Sequence, residues 1–265
     1  MTSLSLAVTD GLTITRRNLI KVKRVPDLIV FATLSPIMFV LLFRYVFGGA
    51  INVPGDISYA EFLLPGIFAQ TVIFGSTITG ASLADDLQKG LIDRFRSLPM
   101  APSAVLFGRT LSDVCVNVIS LCVMGLTGLI VGWRIHTSFP EAVGGFLLLL
   151  GFAYAMSWLM AQVGLMVRTP EVVQNASFIV IFPITFVANT FVPLETFPPV
   201  LRTFAEWNPV SSVVQGARNL FGNSFGAPDV WSLQHPIVYS ALWGIAILAV
   251  FVPLSVRTFR NTASR

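Results

Sequence analysis

The amino-acid sequence predicts an all-α polytopic membrane protein, from its composition, its hydropathy and the length of its apolar runs. Of the 265 residues, 54% are hydrophobic and only 11% are charged, whereas about a quarter are charged in an ordinary soluble domain. The mean hydropathy of +0.78 indicates more apolar sequence than the core of a single domain can bury. A bilayer would surround the remaining apolar segments. The net charge of +4 reflects few charges of either sign, so we expect no nucleic-acid partner.

Six apolar segments are long enough to span a membrane, because a helix needs about 20 residues to cross the hydrocarbon layer. Five of them contain no Asp, Glu, Lys or Arg. The exception is the first, where Arg44 and Tyr45 suit a membrane face. The predicted spans are 28–47, 62–84, 114–133, 142–167, 172–194 and 236–256.

The distribution of basic residues predicts the orientation of these spans. An even number of spans places both termini on one side, and 13 of the 17 Lys and Arg residues fall on that side. They lie in the amino-terminal arm, the second-to-third and fourth-to-fifth connections, and the tail. By the positive-inside rule both termini are therefore expected to be cytoplasmic, in a multi-pass protein of the cell (plasma) membrane. Without a repeat or a low-complexity tract, residues 1–265 are expected to form a single membrane domain.

Residues 1–27 are predicted to form an interfacial amphipathic helix on the cytoplasmic leaflet. Apolar and basic side chains separate onto opposite faces at helical spacing. The apolar stripe is Val8, Leu12, Leu19 and Val22, and the basic face is Arg17, Lys21 and Arg24. The alternative is a basic, solvated tail that only fixes the topology.

Residues 85–99 are predicted to form a short cytoplasmic amphipathic helix. Leu87, Leu91 and Phe95 recur at helical spacing, charged residues occupy the other faces, and Pro99 ends the helix. Such a helix suits docking onto a partner. An ordinary charged loop is the alternative.

Residues 195–229 are predicted to form an outer helical hairpin before the last span. Two short amphipathic helices, 197–207 and 210–221, are separated at Asn208 and Pro209, because proline disfavours the helical conformation of the residue before it. A re-entrant hairpin fits this pattern, since broken helices at membrane depth occur where protein buries them. A surface loop is the alternative.

The sequence lacks the groups that catalysis or ion coupling would require. A phosphate-binding loop needs Gly directly before Lys, and each of the three lysines follows another residue type. His136 and His235 are expected to be lone surface histidines and not zinc ligands. Asp113 is expected to form an i,i+4 pair with Arg109 and not to bind a coupling ion. The chain is therefore expected to be no enzyme and to move a solute only with energy from another subunit.

Residues 86–99, DLQKGLIDRFRSLP, resemble the cytoplasmic segment of ABC-2 type exporter permeases of the daunorubicin/doxorubicin-resistance branch. The stretch from Arg168 to Glu171 and the outer Trp207, Asn208 and Pro209 with Arg218 support the resemblance, which covers nearly the whole chain. Other ABC-2 members often carry Glu where this chain has Asp93.

The resemblance implies an ATP-driven drug-efflux complex that confers antibiotic resistance. Two permeases, identical or related, would bind two ABC ATPase subunits, which hold ATP and Mg while this chain holds no cofactor or metal. Residues 85–99 would be the coupling helix, with contacts from Leu87, Lys89, Gly90, Leu91, Asp93, Arg94, Phe95 and Arg96. The cargo would be a hydrophobic or amphipathic, drug-like compound taken from the cytoplasm or inner leaflet. Export of a lipid, glycolipid or polysaccharide precursor, or a role as a non-transporting membrane scaffold, stays open.

Overall fold

The computed structural model describes residues 3–24, 27–49, 51, 53, 57–91, 102–167, 169–226 and 229–261. Within these ranges all regular structure is helical, which confirms the predicted all-α class. The helices are α1 Ser3–Arg24, α2 Asp27–Leu42, α3 Tyr59–Gly75, α4 Thr77–Gln88, α5 Pro102–Val131, α6 Phe139–Met166, α7 Pro170–Phe186, α8 Pro199–Trp207, α9 Pro209–Phe221, α10 Trp231–Gln234 and α11 Pro236–Asn261. A π-helical turn, Phe43–Phe47, extends α2.

Four helical segments in the described part of the chain are long and apolar enough to cross a bilayer. They are Tyr59–Gln88, which joins α3 and α4, Ser103–Val131, Phe139–Met166 and Pro236–Asn261. The other two predicted spans correspond to shorter apolar helices, Thr33–Phe47 and Pro170–Phe186. The chain is thus a polytopic helical membrane protein.

Local sequence signals explain where the spanning helices begin. Ser58 and Glu61 form a reciprocal capping box at the start of α3, and Ser138 and Glu141 form another before α6. In each box the serine backbone N–H donates to the glutamate carboxylate, at 2.8 Å and 2.9 Å. Because these bonds satisfy amides that lack a partner inside the helix, both helices start at defined residues.

Helix α7 ends at Phe186, eight residues before the predicted end of the fifth span at residue 194. The Asn208 Nδ2 donates to the carbonyl oxygens of Ile184 at 2.7 Å and Val187 at 2.8 Å. These bonds satisfy carbonyls that the last turn leaves without an intrahelical partner. The predicted end of this span was therefore wrong, because a distant side chain terminates the helix.

The main core lies around α3, which is buried along most of its length. Phe68, Trp133 and Phe221 are fully buried there. Their rings meet edge to face, with the centroids of Phe68 and Trp133 5.1 Å apart, an arrangement that aromatic pairs favour. In contrast, most of α11 is exposed and suited to lipid. Helix α3 is therefore central and α11 peripheral.

The amino-terminal helix α1 packs against α5 through a face that the sequence analysis did not predict. Ile14 and Asn18 are buried, and Gly11 lies so close to α5 that an added Cβ would be 2.7 Å from the Phe107 ring. Leu12, which belongs to the predicted apolar stripe, is 53% exposed. The sequence analysis overlooked this second, protein-facing side of α1, because small and polar residues, which do not contribute to an apolar periodicity, form the contact.

Candidate coupling segment and outer hairpin

The first part of the predicted coupling helix belongs to α4. Residues 85–88 form the last turn of α4, and Lys89 ends that helix. Gly90 has φ +63°, a left-handed conformation that glycine adopts without a steric cost. A single helix beginning at Asp85 was therefore a wrong prediction, because the chain turns at Gly90.

Side chains at this turn are held by local contacts. The Lys89 Nζ lies 2.7 Å from Asp85 Oδ2, and this bond raises the pKa of the Lys89 ammonium. Leu87 is half-buried against a second hydrophobic cluster that includes Leu83, Leu106 and Phe259, and Leu91 is also half-buried. The other predicted coupling residues, Asp93, Arg94, Phe95 and Arg96, lie outside the described residues.

The basic residues predicted for the amino-terminal arm all lie on α1. Arg17 is exposed, and its Nη2 lies 3.4 Å from Asn18 Oδ1. Lys21 and Arg24 belong to the last turns of α1, and their side chains lie outside the described part of the structure. The helical arm is present, and its place on a membrane surface stays a prediction.

A polar cluster, consisting of Arg109 and Asp113 on α5 with Thr79 and Ser82 on α4, lies next to the coupling segment. The Arg109 Nε lies 3.4 Å from Asp113 Oδ2, which confirms the predicted pair. Thr79 also donates to Asp113, and Arg109 Nη2 donates to Ser82 Oγ at 2.7 Å. The sequence analysis missed both α4 residues, because spacing within one helix cannot identify partners on another.

Helix α1 is joined to α5 within the same region. The Thr15 Oγ1 donates to the carbonyl oxygen of Gly108 at 3.1 Å, and Asn18 Nδ2 donates to Ser112 Oγ at 3.3 Å. Ser112 directly precedes Asp113, so α1, α5 and α4 are connected by one series of polar contacts. These contacts attach α4 to α5, and α5 to α1, in one static structure.

The two helices predicted for the outer hairpin are present as α8 and α9, with the break at the predicted position. Pro209 is the first residue of α9, and Asn208 Oδ1 accepts a hydrogen bond from Val210 N at 2.9 Å. Trp207 is half-exposed, and its carbonyl oxygen accepts a hydrogen bond from the Tyr239 hydroxyl at 2.9 Å. Since Asn208 also caps α7, one side chain fixes the relative positions of three helices.

Arg218, which the sequence analysis named with the residues of the outer hairpin, is fully buried. Its Nε donates to the carbonyl oxygen of Phe62 at 2.9 Å, and Nη2 donates to those of Asn189 at 2.7 Å and Thr190 at 3.3 Å. The guanidinium lies 3.6 Å from the Phe62 ring centroid. Burial lowers the pKa of Arg218 to about 9, which leaves the side chain charged at pH 7. Arg218 thus joins α9 to α3 and to the turn after α7.

His136 was predicted to be a lone surface histidine, and this prediction is wrong because its ring has a partner. Its Nε2 lies 2.6 Å from Glu61 Oε1, and its backbone N–H donates to the carbonyl oxygen of Phe221 at 2.9 Å. His235 stacks on Trp231 with centroids 5.7 Å apart. The two contacts of His136 join the starts of α3 and α6 to the end of α9. Residue types alone did not identify these contacts, because the partners are 75 or more residues apart in the sequence.

Comparisons with known proteins agree with this architecture. The sequence pattern of the family described as ABC-2 type transporter matches residues 10–221. The daunorubicin resistance ABC transporter permease protein DrrB1 of Streptomyces coeruleorubidus is 35% identical over 96% of this chain and 87% of its own length. The probable doxorubicin resistance ABC transporter permease protein DrrC of Mycobacterium tuberculosis is 25% identical over 86% of this chain and 80% of its length. The putative transport permease ycf38 of Porphyra purpurea is 22% identical over 90% and 81%.

Proposed function

Because the chain belongs to the ABC-2 type transporter family and is a permease component, we propose that it exports a hydrophobic or amphipathic, drug-like compound. The energy comes from ATP hydrolysis in a separate ABC ATPase subunit. The observation that carries this proposal is the 35% identity to a daunorubicin resistance permease over 96% of the chain. The three lysines of the sequence, none of which follows a glycine, support placing the nucleotide and Mg in the partner.

The proposed complex contains two permeases and two ATPase subunits in the cell membrane. The shorter apolar segments, Thr33–Phe47 and Pro170–Phe186, would bring the number of crossings in each permease to six, with both termini cytoplasmic. Their length of 15 and 17 residues is near the lower limit for a spanning helix, about 17 residues, so they would rely on local thinning of the bilayer or on flanking residues.

The polar cluster of Arg109, Asp113, Thr79 and Ser82 supports a route for the transmitted motion. ATPase closure would push the segment after Gly90, and the last turn of α4 would move with it. Since Asp113 and Arg109 attach α4 to α5 by buried contacts, the three helices α1, α4 and α5 would tilt together. Transport then requires that nucleotide bind the two conformations with different affinities.

The proposal is tested by purifying the tagged chain from its native membranes in mild detergent. We expect an ABC ATPase to copurify, and daunorubicin to stimulate ATP hydrolysis by the reconstituted complex. The chain alone should not hydrolyse ATP. Turnover by the chain without an ATPase subunit, or isolation of the chain with no ATPase under conditions that preserve other ABC complexes, would contradict the proposal.

A further inference from the structure

Four aromatic residues meet where the outer hairpin joins the last apolar helix. We call them the outer aromatic cluster; they are Trp207, Trp231, Tyr239 and Trp243. The ring centroid of Tyr239 lies 6.2 Å from that of Trp207, 5.9 Å from that of Trp231 and 6.4 Å from that of Trp243. Trp231 also stacks on His235. The cluster therefore brings residues of α8, α10 and α11 together around Tyr239.

The rings of the outer aromatic cluster keep uncovered faces. The planes of Trp207, Trp231 and Trp243 are inclined to the plane of Tyr239 by 73°, 86° and 76°. In such an edge-to-face pair, each ring keeps at least one face clear of its partner. Trp207 is 50% exposed, Trp231 is 46% exposed and Trp243 is 40% exposed. Ring faces at this site are thus open to the surroundings of the protein.

Hydrogen bonds to the backbone hold these rings in place. The Tyr239 hydroxyl donates to the carbonyl oxygen of Trp207 at 2.9 Å. The Ser232 hydroxyl donates to the carbonyl oxygen of Glu206, and the Ser232 carbonyl oxygen accepts from Ser212 Oγ at 3.1 Å. Because these bonds join α8, α9, α10 and α11, the site is formed before a ligand binds and needs little reordering.

The charges beside the outer aromatic cluster favour a cationic ligand. Arg202 is paired with Glu206 at 2.8 Å, so these two charges balance. Asp229 is exposed, and its Oδ1 accepts a hydrogen bond from Gln234 Nε2 at 2.5 Å, which holds this carboxylate near Trp231. Aromatic ring faces attract ammonium groups electrostatically. The carboxylate and the rings therefore favour the same kind of ligand.

An apolar surface continues from the outer aromatic cluster along α11. Ala246 and Val250 follow Trp243 at helical spacing and are exposed, and most of the apolar part of Pro236–Asn261 is exposed. Tyr239 and Trp243 lie near the start of this helix, and tryptophan and tyrosine are enriched where a span enters the bilayer. A site for an ammonium group thus lies directly above a surface for acyl chains.

We propose that the outer aromatic cluster binds a zwitterionic phospholipid. The headgroup ammonium lies over the ring faces beside Asp229, and the acyl chains lie along α11. This inference concerns a lipid and not the cargo, so it goes beyond the proposed export function and does not depend on it. An apolar belt alone would accept any headgroup, whereas ring faces beside a carboxylate discriminate by charge.

Native mass spectrometry of the 265-residue chain in detergent measures the binding of dioleoyl phosphatidylethanolamine and dioleoyl phosphatidylglycerol. We expect the wild type to bind the ethanolamine lipid about tenfold more tightly. Trp207→Leu with Trp243→Leu removes two ring faces and keeps apolar surface. It should weaken binding of the ethanolamine lipid about tenfold and leave binding of the glycerol lipid unchanged. Asp229→Asn should weaken binding of the ethanolamine lipid about threefold.

Two control variants separate the loss of ring faces from other effects. Trp207→Phe with Trp243→Phe retains aromatic faces, so its preference for the ethanolamine lipid should stay within about threefold of the wild-type preference. Phe139→Leu changes an exposed aromatic residue at the start of α6, outside the outer aromatic cluster. This variant should bind both lipids like the wild type.

Three results would overturn the inference: equal affinity of the wild type for both lipids, an unchanged preference in the double leucine variant, or an equal loss in Phe139→Leu. An unchanged lipid preference with fewer permease dimers in the same spectra would assign the outer aromatic cluster to contact with a second permease instead. A chain that keeps its lipid preference but supports no ATP-driven transport would contradict only the proposed function.

Discussion

Replacement of Arg218 by Met is expected to destabilise the protein by about 2 kcal/mol, after the offset from desolvation. The arginine is 1% exposed and joins three segments. Two short hydrogen bonds, to the Phe62 carbonyl at 2.9 Å and the Asn189 carbonyl at 2.7 Å, are lost. The methionine side chain has no donor, so the carbonyl oxygens stay buried without this partner.

The magnitude follows from opposing contributions. A hydrogen bond to a charged group contributes about 1.5–3 kcal/mol, and a desolvated cation–π contact adds about 2 kcal/mol, giving a gross loss of about 5–8 kcal/mol for the contacts of Arg218 with the two carbonyls and the Phe62 ring. Removal of the charge recovers a desolvation penalty of several kcal/mol. The difference is a net destabilisation of about 2 kcal/mol.

Unfolding in mixed micelles of dodecylmaltoside and increasing SDS, followed by tryptophan fluorescence, measures this difference. Arg202→Met is the matched control, because Arg202 lies in the same hairpin but its side chain is 43% exposed and forms an i,i+4 pair with Glu206. Such a surface pair contributes at most about 1 kcal/mol. If Arg218→Met is as stable as Arg202→Met or the wild type, the argument that the buried guanidinium stabilises the outer hairpin is refuted.

Three further predictions address packing, topology and coupling. Gly164→Ala should destabilise the protein by about 1–3 kcal/mol in the same micelle assay, because its Cβ would lie 2.2 Å from the Gly80 carbonyl oxygen. Gly151→Ala, with no heavy atom within 4 Å, is the control and should not destabilise. An impermeant thiol reagent added to intact cells should leave a cysteine at Gln88 unlabelled and should label cysteines at two exposed outer positions, Ser138 and Thr196; labelling at Gln88 overturns the orientation. Phe95→Ala should weaken the binding of the ATPase subunit by about 2 kcal/mol, and ATP-driven transport should fall without a change in cargo preference. An altered preference with full coupling of ATP hydrolysis to transport would instead assign Phe95 to the transport path.

Features that depend on local sequence were predictable. Hydropathy identified the apolar segments, because a span needs a long run with few charges. The break at Asn208 and Pro209 was also predictable, since the effect of proline on the preceding residue is local. The i,i+4 pair of Arg109 and Asp113 belongs to the same category.

Features that depend on contacts between distant segments were not predictable. The end of α7 is determined by Asn208, more than 20 residues away, and Arg218 binds carbonyls of segments 28–156 residues away. Backbone carbonyls carry no residue-specific signal, so residue types could not identify these partners. The buried face of α1 was missed for a related reason, because Gly11 and Asn18 do not contribute to an apolar pattern.

ATP-driven accumulation of daunorubicin in inverted membrane vesicles tests the central claim most directly. The vesicles contain the chain together with its copurifying ABC ATPase, and matched vesicles lack one component or the other. We predict accumulation only when both components and hydrolysable ATP are present. Equal accumulation in vesicles without this chain, or with a non-hydrolysable ATP analogue, would contradict its assignment as the permease of an ATP-driven exporter.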